Sequence, residues 1–175
     1  MSALSILFLV LPFPLAFIIH EAEEIAVQKR WMSRHHDLLK QKFPRLKPLT
    51  GHLAKLGTKA FAVAAAEELL IVLAVTALVL IQYEFCMQIW SAIFIAFSLH
   101  HILHILQAVA VRGYVPGLVS AVFLLPYSAY GLYSIHLAMS LWEMLAWGTA
   151  GLVFMALNLM FAHKLGLTLT NERCH

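Results

Sequence analysis

The stretch AFAVAAAEELLIVLAVTALVLIQ, residues 60–82, decides the fold of this chain. About 20 consecutive apolar residues cross the hydrocarbon of a bilayer as a helix, and this run is long enough. Further apolar blocks of this length occupy residues 3–25, 85–111, 117–141 and 143–165. Because no water reaches the bilayer core, each segment must pair its own backbone amides, which requires a helix. The sequence therefore predicts an all-α integral membrane bundle of five transmembrane helices.

The overall composition agrees with this prediction and narrows the class of protein. Hydrophobic residues make up 62% of the 175 residues and charged residues only 12%, whereas about a quarter of a soluble domain is charged. The two cysteines, Cys86 and Cys174, are expected on opposite sides of the membrane, which excludes a disulfide framework and a cysteine-based metal site. We expect a single transmembrane domain over residues 1–175.

The basic residues predict the orientation. Nine of the 12 Lys and Arg lie within residues 26–59, predicted as a basic loop, and Arg112, Lys164 and Arg173 fall on the same side of a five-helix topology. Because cytoplasmic segments carry such an excess, we expect an N-out, C-in protein of the cell membrane. The loop would contact anionic lipid headgroups. No glycine-rich phosphate loop or RNA-binding aromatic pattern accompanies it, so we expect no nucleic-acid partner.

Ionisable side chains recur inside three of the predicted helices, where they are costly and usually functional. At a rise of about 1.5 Å per residue they fall at overlapping depths, roughly 10–18 Å or less from the cytoplasmic ends. Angular spacing turns the three imidazoles of His20, His100 and His104 inward, while Glu21 points elsewhere. The candidate metal ligands at this level are His20, Glu23, Glu24, Glu67, Glu68, His100, His101 and His104.

A divalent metal is the interpretation that best accounts for this set. Several carboxylates in a low-dielectric setting repel one another, and no Lys or Arg lies at that depth to offset them. Ligation by nitrogen and oxygen without thiolate suits Zn, Fe or Mn, and the number of ligands suits one or two ions. His101 could instead orient a ligand from outside the coordination sphere. Two alternatives are a protonated Glu–His network that fastens the helices and a proton or ion relay.

The order of these residues along the chain carries a family resemblance. His20-Glu21-Ala22-Glu23-Glu24 fits the pattern His-x-x-Glu-Glu, Glu67-Glu68 follows, and His100-x-x-x-His104 comes next. Over roughly residues 15–135 the chain resembles the HXXEE family of small multipass bacterial proteins. The resemblance implies a place in the bacterial cytoplasmic membrane and no particular reaction. It also implies that six residues act as a unit: His20, Glu23, Glu24, Glu67, His100 and His104.

Two other families share fragments of the pattern. CPBP-type intramembrane proteases carry Glu-Glu-x-x-x-Arg followed by Phe-x-x-x-His, and Glu67-Glu68 and Phe97-x-x-x-His101 are similar. Val72 stands where the Arg should be, and no later His-x-x-x-Asn follows. Membrane desaturases and hydroxylases use several histidine boxes, of which His100-His101-x-x-His104 resembles one. Neither resemblance is complete enough to imply a mechanism.

These observations lead to a functional hypothesis. We expect a membrane-embedded metal-dependent enzyme that acts on a lipid or another apolar substrate. Zinc would support hydrolysis and two irons would support oxidation, with Glu24 and Glu68 as the catalytic carboxylates. The alternatives are a non-enzymatic divalent-metal or proton transporter or sensor, and a CPBP-like protease. The outer halves of the first three helices are almost wholly apolar, which favours catalysis over transport.

Overall fold

The computed structural model describes residues 3–82 and 85–170, and over these residues all regular structure is helical, as predicted. Arg173 and Cys174, for each of which the sequence predicts a side of the membrane, lie outside the described residues. A 3-10 turn at Pro44–Leu46 separates the second and third helices. The α-helices in the described part are α1 (Ala3–Val10), α2 (Pro12–Lys42), α3 (Lys47–Leu53), α4 (Thr58–Leu80), α5 (Cys86–Val111), α6 (Leu118–Ala138) and α7 (Leu141–Leu169).

Five of these helical stretches are long and apolar enough to cross a membrane, which confirms the predicted number. The first combines α1 and α2, because only Leu11 separates them and its amide still donates to the Leu7 carbonyl at 3.0 Å. Proline lacks an N–H and therefore suits the first turn of a helix, which explains why α2 begins at Pro12.

The prediction of a loop over residues 26–59 is wrong for most of that range. The helix α2 continues without interruption to Lys42, and α3 occupies Lys47–Leu53. The residues from Gln28 to Lys42 include no glycine or proline, and many are charged or amide residues that favour a helix. The helix can therefore continue beyond the end of the apolar block. The combined first span of 39 residues is about 58 Å long, so its basic end extends well beyond about 30 Å of hydrocarbon.

The helix α5 occupies the centre of the bundle, between α4, α6 and α7, while α2 packs against α4 and α6. An aromatic cluster joins α2 to α5: the Phe13 ring lies 5.5 Å from Trp90 and 5.3 Å from both Phe94 and Phe97, measured between centroids. On the far side of α5, a Cβ at Gly151 would lie 2.1 Å from the Ala92 carbonyl oxygen. Such close backbone approach lets α5 and α7 pack through small residues, as membrane helices commonly do.

Candidate metal centre

Four side chains from α2 and α5 converge at one point in the bundle. One ligand atom from each lies within 4.8 Å of the corresponding atom of every other member. The Nε2 atom of His104 lies 2.8 Å from His100 Nε2 and 3.2 Å from Glu24 Oε1. Each helix contributes two residues at i and i+4, a spacing that places both on one face. We call this set the His–Glu cluster; its members are His20, Glu24, His100 and His104.

His20 presents an unused nitrogen to the cluster. Its ring is fully buried, and its Nδ1 lies 3.0 Å from Ser120 Oγ. The Ser120 hydroxyl donates its hydrogen to Glu23 Oε2 at 2.6 Å, so its oxygen accepts from His20 Nδ1–H. This assigns the His20 lone pair to Nε2, which has no hydrogen-bond partner among the described residues. A neutral imidazole oriented through its other nitrogen is the usual state of a metal-ligating histidine.

The donor set fits a divalent ion. Ligand atoms about 2.0–2.2 Å from a common ion are roughly 3–3.5 Å from their neighbours, close to the two shortest spacings here of 2.8 and 3.2 Å. The sequence contains no Lys or Arg in residues 12–28 or 60–111, which supply the cluster and its surroundings. A buried carboxylate beside three imidazoles is therefore without a cationic side chain as a partner. The cluster could hold one metal ion.

Gly117 closes the cluster from the direction of α6. A Cβ built on this residue would lie 2.8 Å from Glu24 Oε1, 2.8 Å from His104 Cε1 and 2.9 Å from His20 Cε1. The φ of Gly117 is +79°, a left-handed conformation that other residues rarely adopt. The backbone before α6 therefore approaches the cluster as closely as a residue without a side chain allows.

Glu23, predicted as a metal ligand, is held by the start of α6 instead of by the cluster. Its Oε2 accepts from the Ser120 amide and hydroxyl, both at 2.6 Å. Its Oε1 accepts from Tyr114 Oη at 2.7 Å and from the Val119 amide at 3.2 Å. Burial and the hydrogen bond to Glu23 raise the pKa of the Tyr114 phenol, so it remains a donor at neutral pH. Glu23 caps α6, and it acts on the cluster through Ser120 and by its charge.

The other three predicted ligands lie around the cluster and not in it. Glu67 Oε2 accepts a 3.0 Å hydrogen bond from the Asn158 amide on α7. His101 is fully buried, with its Nδ1 3.0 Å from Ser128 Oγ and its ring centroid 4.9 Å from that of His20. Glu68 has a buried Oε1 with no hydrogen-bond partner in the described part of the chain, and it interacts electrostatically with Glu24.

Glu21 also differs from its predicted position. We expected its side chain to point away from the other polar groups, yet it is only 9% exposed and interacts electrostatically with Glu24 and Glu68. At about 100° from its neighbours around α2, it faces α4. Three carboxylates are therefore close to one another on the α4 side of the cluster.

An apolar cleft lies next to the cluster on the side away from the basic end of α2. It lies between α2, α4, α5 and α7. Phe97 contacts both the cleft and the histidines. It lines the cleft, and its ring centroid lies 5.9 Å from that of His20 and 4.2 Å from that of His101. Phe154 and Met155 on α7 form part of the outer wall, where they are exposed and half-buried respectively. The cleft thus runs from the exposed side of α7 to Phe97, whose ring lies against His20.

Sequence reasoning missed the contribution of the turn before α6. Gly117 and Ser120 touch the cluster, and Tyr114 holds Glu23 by a hydrogen bond. None of the three is ionised at neutral pH, and none belongs to a regular pattern of apolar residues. The available signal was the turn sequence Pro116-Gly117 just before an apolar block, which marks a helix start. That signal locates a turn and says nothing of what it touches.

The comparisons with known proteins agree with the motif. A family model described as a protein of unknown function with HXXEE motif matches residues 11–131, more than half of the chain. Neither the curated proteins nor the solved structures yielded a match. The matched segment contains all four members of the His–Glu cluster together with Gly117 and Ser120. The chain belongs to the HXXEE family.

Proposed function

We propose that this protein is a membrane-embedded metal-dependent enzyme that acts on a lipid or another apolar substrate. The observation that carries the proposal is the convergence of three imidazoles and one carboxylate directly beside an apolar cleft. Concave, mostly apolar sites with a few convergent polar groups are where small-molecule chemistry takes place. Phe97 lines the cleft and its ring lies beside His20, so that one ring would separate a substrate in the cleft from the ion.

The donor set favours zinc or iron. It consists of nitrogen and oxygen ligands, and the one cysteine in the described residues, Cys86, lies at the opposite end of α5. Zinc held there would supply Lewis-acid chemistry for hydrolysis, and iron would supply redox chemistry for oxidation. The four clustered ligands support one ion. A second ion would have to use the carboxylates of Glu21 and Glu68 beside Glu24.

The protein's own residues would orient the substrate and move a proton. Glu68 lines the cleft and has an oxygen that no described residue binds, so it is the carboxylate best placed to accept a proton. His20 is held in one tautomer by Ser120, which is itself ordered by Glu23. The aromatic walls from Phe13, Phe17 and Phe97 would exclude water from the inner end of the cleft.

Metal analysis tests the proposal. We expect wild-type protein, purified without a histidine tag or chelator, to hold about one Zn or Fe per chain. His20→Ala and His104→Ala should lose most of it, because each removes one of four ligands. His136→Ala is the matched control, since His136 is exposed near the far end of α6.

Wild-type protein with only trace metal would contradict the proposal, as would metal that survives both cluster substitutions. Colourless zinc would favour hydrolysis, and iron with visible absorption would favour oxidation. The transporter alternative makes a different prediction, namely uptake of the metal into vesicles that the same His20→Ala substitution abolishes. Metal uptake that depends on His20 in this way would replace the enzyme proposal with transport.

A further inference from the structure

The walls of the apolar cleft are almost wholly apolar, with two exceptions. Among the described residues, Glu68 and Asn158 contribute the only ionisable or amide side chains to its lining. The Asn158 amide nitrogen donates to Glu67 at 3.0 Å, which leaves its carbonyl oxygen as an acceptor. Glu68 Oε1 is buried and unpartnered within the described residues. The cleft therefore offers hydrogen-bond acceptors and would favour a ligand that carries a donor.

The surrounding charge favours a cationic donor. Glu68 interacts electrostatically with Glu67 and Glu24, and Glu21 interacts with both Glu24 and Glu68. One metal ion in the His–Glu cluster would offset Glu24 and leave the carboxylates nearer the cleft without a cation. No Lys or Arg occurs in residues 60–111, so α5 and the part of α4 beyond Lys59 supply none. The aromatic rings of Phe17 and Phe97 in the wall also suit a cation.

We propose that the apolar cleft binds the alkyl chain of an amphiphile whose polar end is a protonated amine facing Glu68. Its lining of apolar and aromatic side chains with two polar groups is the composition typical of small-molecule sites. The membrane supplies such a ligand laterally, because the α7 wall of the cleft includes the exposed Phe154. The inference rests on the proposed function for the ligand's role as a substrate, and the binding itself can be tested separately.

The experiment compares two probes of equal chain length, dodecylamine and dodecanol, with the full chain in nanodiscs of neutral phospholipid near neutral pH. Native mass spectrometry counts the probe bound per chain, and empty nanodiscs give the background. We expect wild type to prefer the amine by about tenfold, the effect of one charge-assisted hydrogen bond. Glu68→Gln preserves the shape of the site and should reduce this preference to near unity while dodecanol still binds.

Two neighbouring substitutions on α4 test the location. Ile71→Trp fills the cleft, which Ile71 lines, and should abolish binding of both probes. Leu70→Trp is its matched control, because Leu70 is 66% exposed on the outside of α4 and should leave binding unchanged. Met155→Trp fills the cleft from the α7 side and replaces Ile71→Trp if that variant does not fold.

Equal binding of the two probes to wild type would overturn the inference. So would an amine preference that survives Glu68→Gln, or undiminished binding in the cleft-filled variant. Metal content is measured on the same samples, which separates the two proposals. Amine-selective binding in wild type that holds only trace metal would sustain this inference and refute the proposed function, and stoichiometric metal without amine selectivity would do the reverse.

Discussion

The two glutamates of the motif, Glu23 and Glu24, are adjacent in sequence but about 100° apart around α2. Glu24 therefore shares a face with His20 and joins the cluster, while Glu23 turns to the amides at the start of α6. Carboxylates are favourable at the N-terminus of a helix, where backbone N–H groups are unpaired. The spacing His-x-x-Glu-Glu thus combines one carboxylate in the His–Glu cluster with one that fixes a neighbouring helix and, through Ser120, the His20 ring.

Ser120→Ala should weaken metal binding without removing a ligand. The substitution takes away the oxygen that accepts from His20 Nδ1–H, so the ring is no longer held in one orientation. Loss of such an outer partner typically costs about 10–100-fold in metal affinity. Competition with a chelator of known affinity measures the change. Ser134→Ala, at a buried position farther along α6, is the control, and equal affinities in the two variants would contradict the role of Ser120.

Gly117→Ala should abolish metal binding more completely than any substitution outside the cluster. The new methyl group would lie within 3.0 Å of atoms from three cluster residues, and the backbone would be strained at φ +79°. Gly113→Ala in the same turn is the matched control, because a Cβ there meets none of the described atoms within 4 Å. Metal content and thermal stability are compared for both variants. Retention of stoichiometric metal in Gly117→Ala would show that the turn does not close the site.

At the scale of helices, polar pairs decide how the peripheral elements dock. Asn158 joins α7 to α4 through Glu67. His163 near the end of α7 is only 4% exposed, and its Nδ1 lies 3.2 Å from His52 Nε2 on α3. The short helix α3 is therefore attached to α7, which folds the basic segment back towards the bundle.

Asn158→Leu should lower the free energy of unfolding by about 0.5–2 kcal/mol, the range for interhelical hydrogen bonds in membranes. It should leave metal content unchanged, because Glu67 lies outside the cluster. Reversible unfolding in mixed micelles measures the stability. The double variant Glu67→Leu/Asn158→Leu should recover part of the loss, since no polar group then remains without a partner. Additive losses in the double variant would argue against the pair.

At the scale of the whole molecule, the distribution of basic residues predicts that the end of the bundle nearer the His–Glu cluster faces the cytoplasm. Nine Lys and Arg of residues 26–59 lie on the α2 extension, on α3 and around them. The turn between α6 and α7 has no basic residue. A substrate with its chain in the cleft would then enter from the bilayer and meet the metal near the cytoplasmic interface.

Cysteine labelling in cells tests this orientation. Trp142 is 80% exposed at the start of α7, and Ser33 is exposed on the basic part of α2. In a background with Cys86 and Cys174 replaced by serine, we expect a membrane-impermeant maleimide to label Trp142→Cys in intact cells. Ser33→Cys should react only after permeabilisation. The opposite pattern would reverse the topology and place the cluster near the outer surface.

The sequence alone predicted the five spans, because the bilayer requires long apolar segments and forces them to be helical. It also predicted that His20, Glu24, His100 and His104 lie at one depth, within a wider set that included Glu23, Glu67, Glu68 and His101, since the rise of about 1.5 Å per residue follows from helical geometry alone. It did not predict that α2 extends to Lys42, because the polar residues beyond the apolar block carry no hydrophobic signal of a membrane span.

Only the tertiary structure decided which carboxylates join the His–Glu cluster and which support other helices. Glu23 and Glu67 are engaged by Ser120 and Asn158, partners about a hundred residues away whose positions depend on how α6 and α7 pack. Gly117 meets the cluster for the same reason. Periodicity describes one helix at a time, whereas the direction of a turn and the rotation of each helix about its neighbours come from packing the whole bundle.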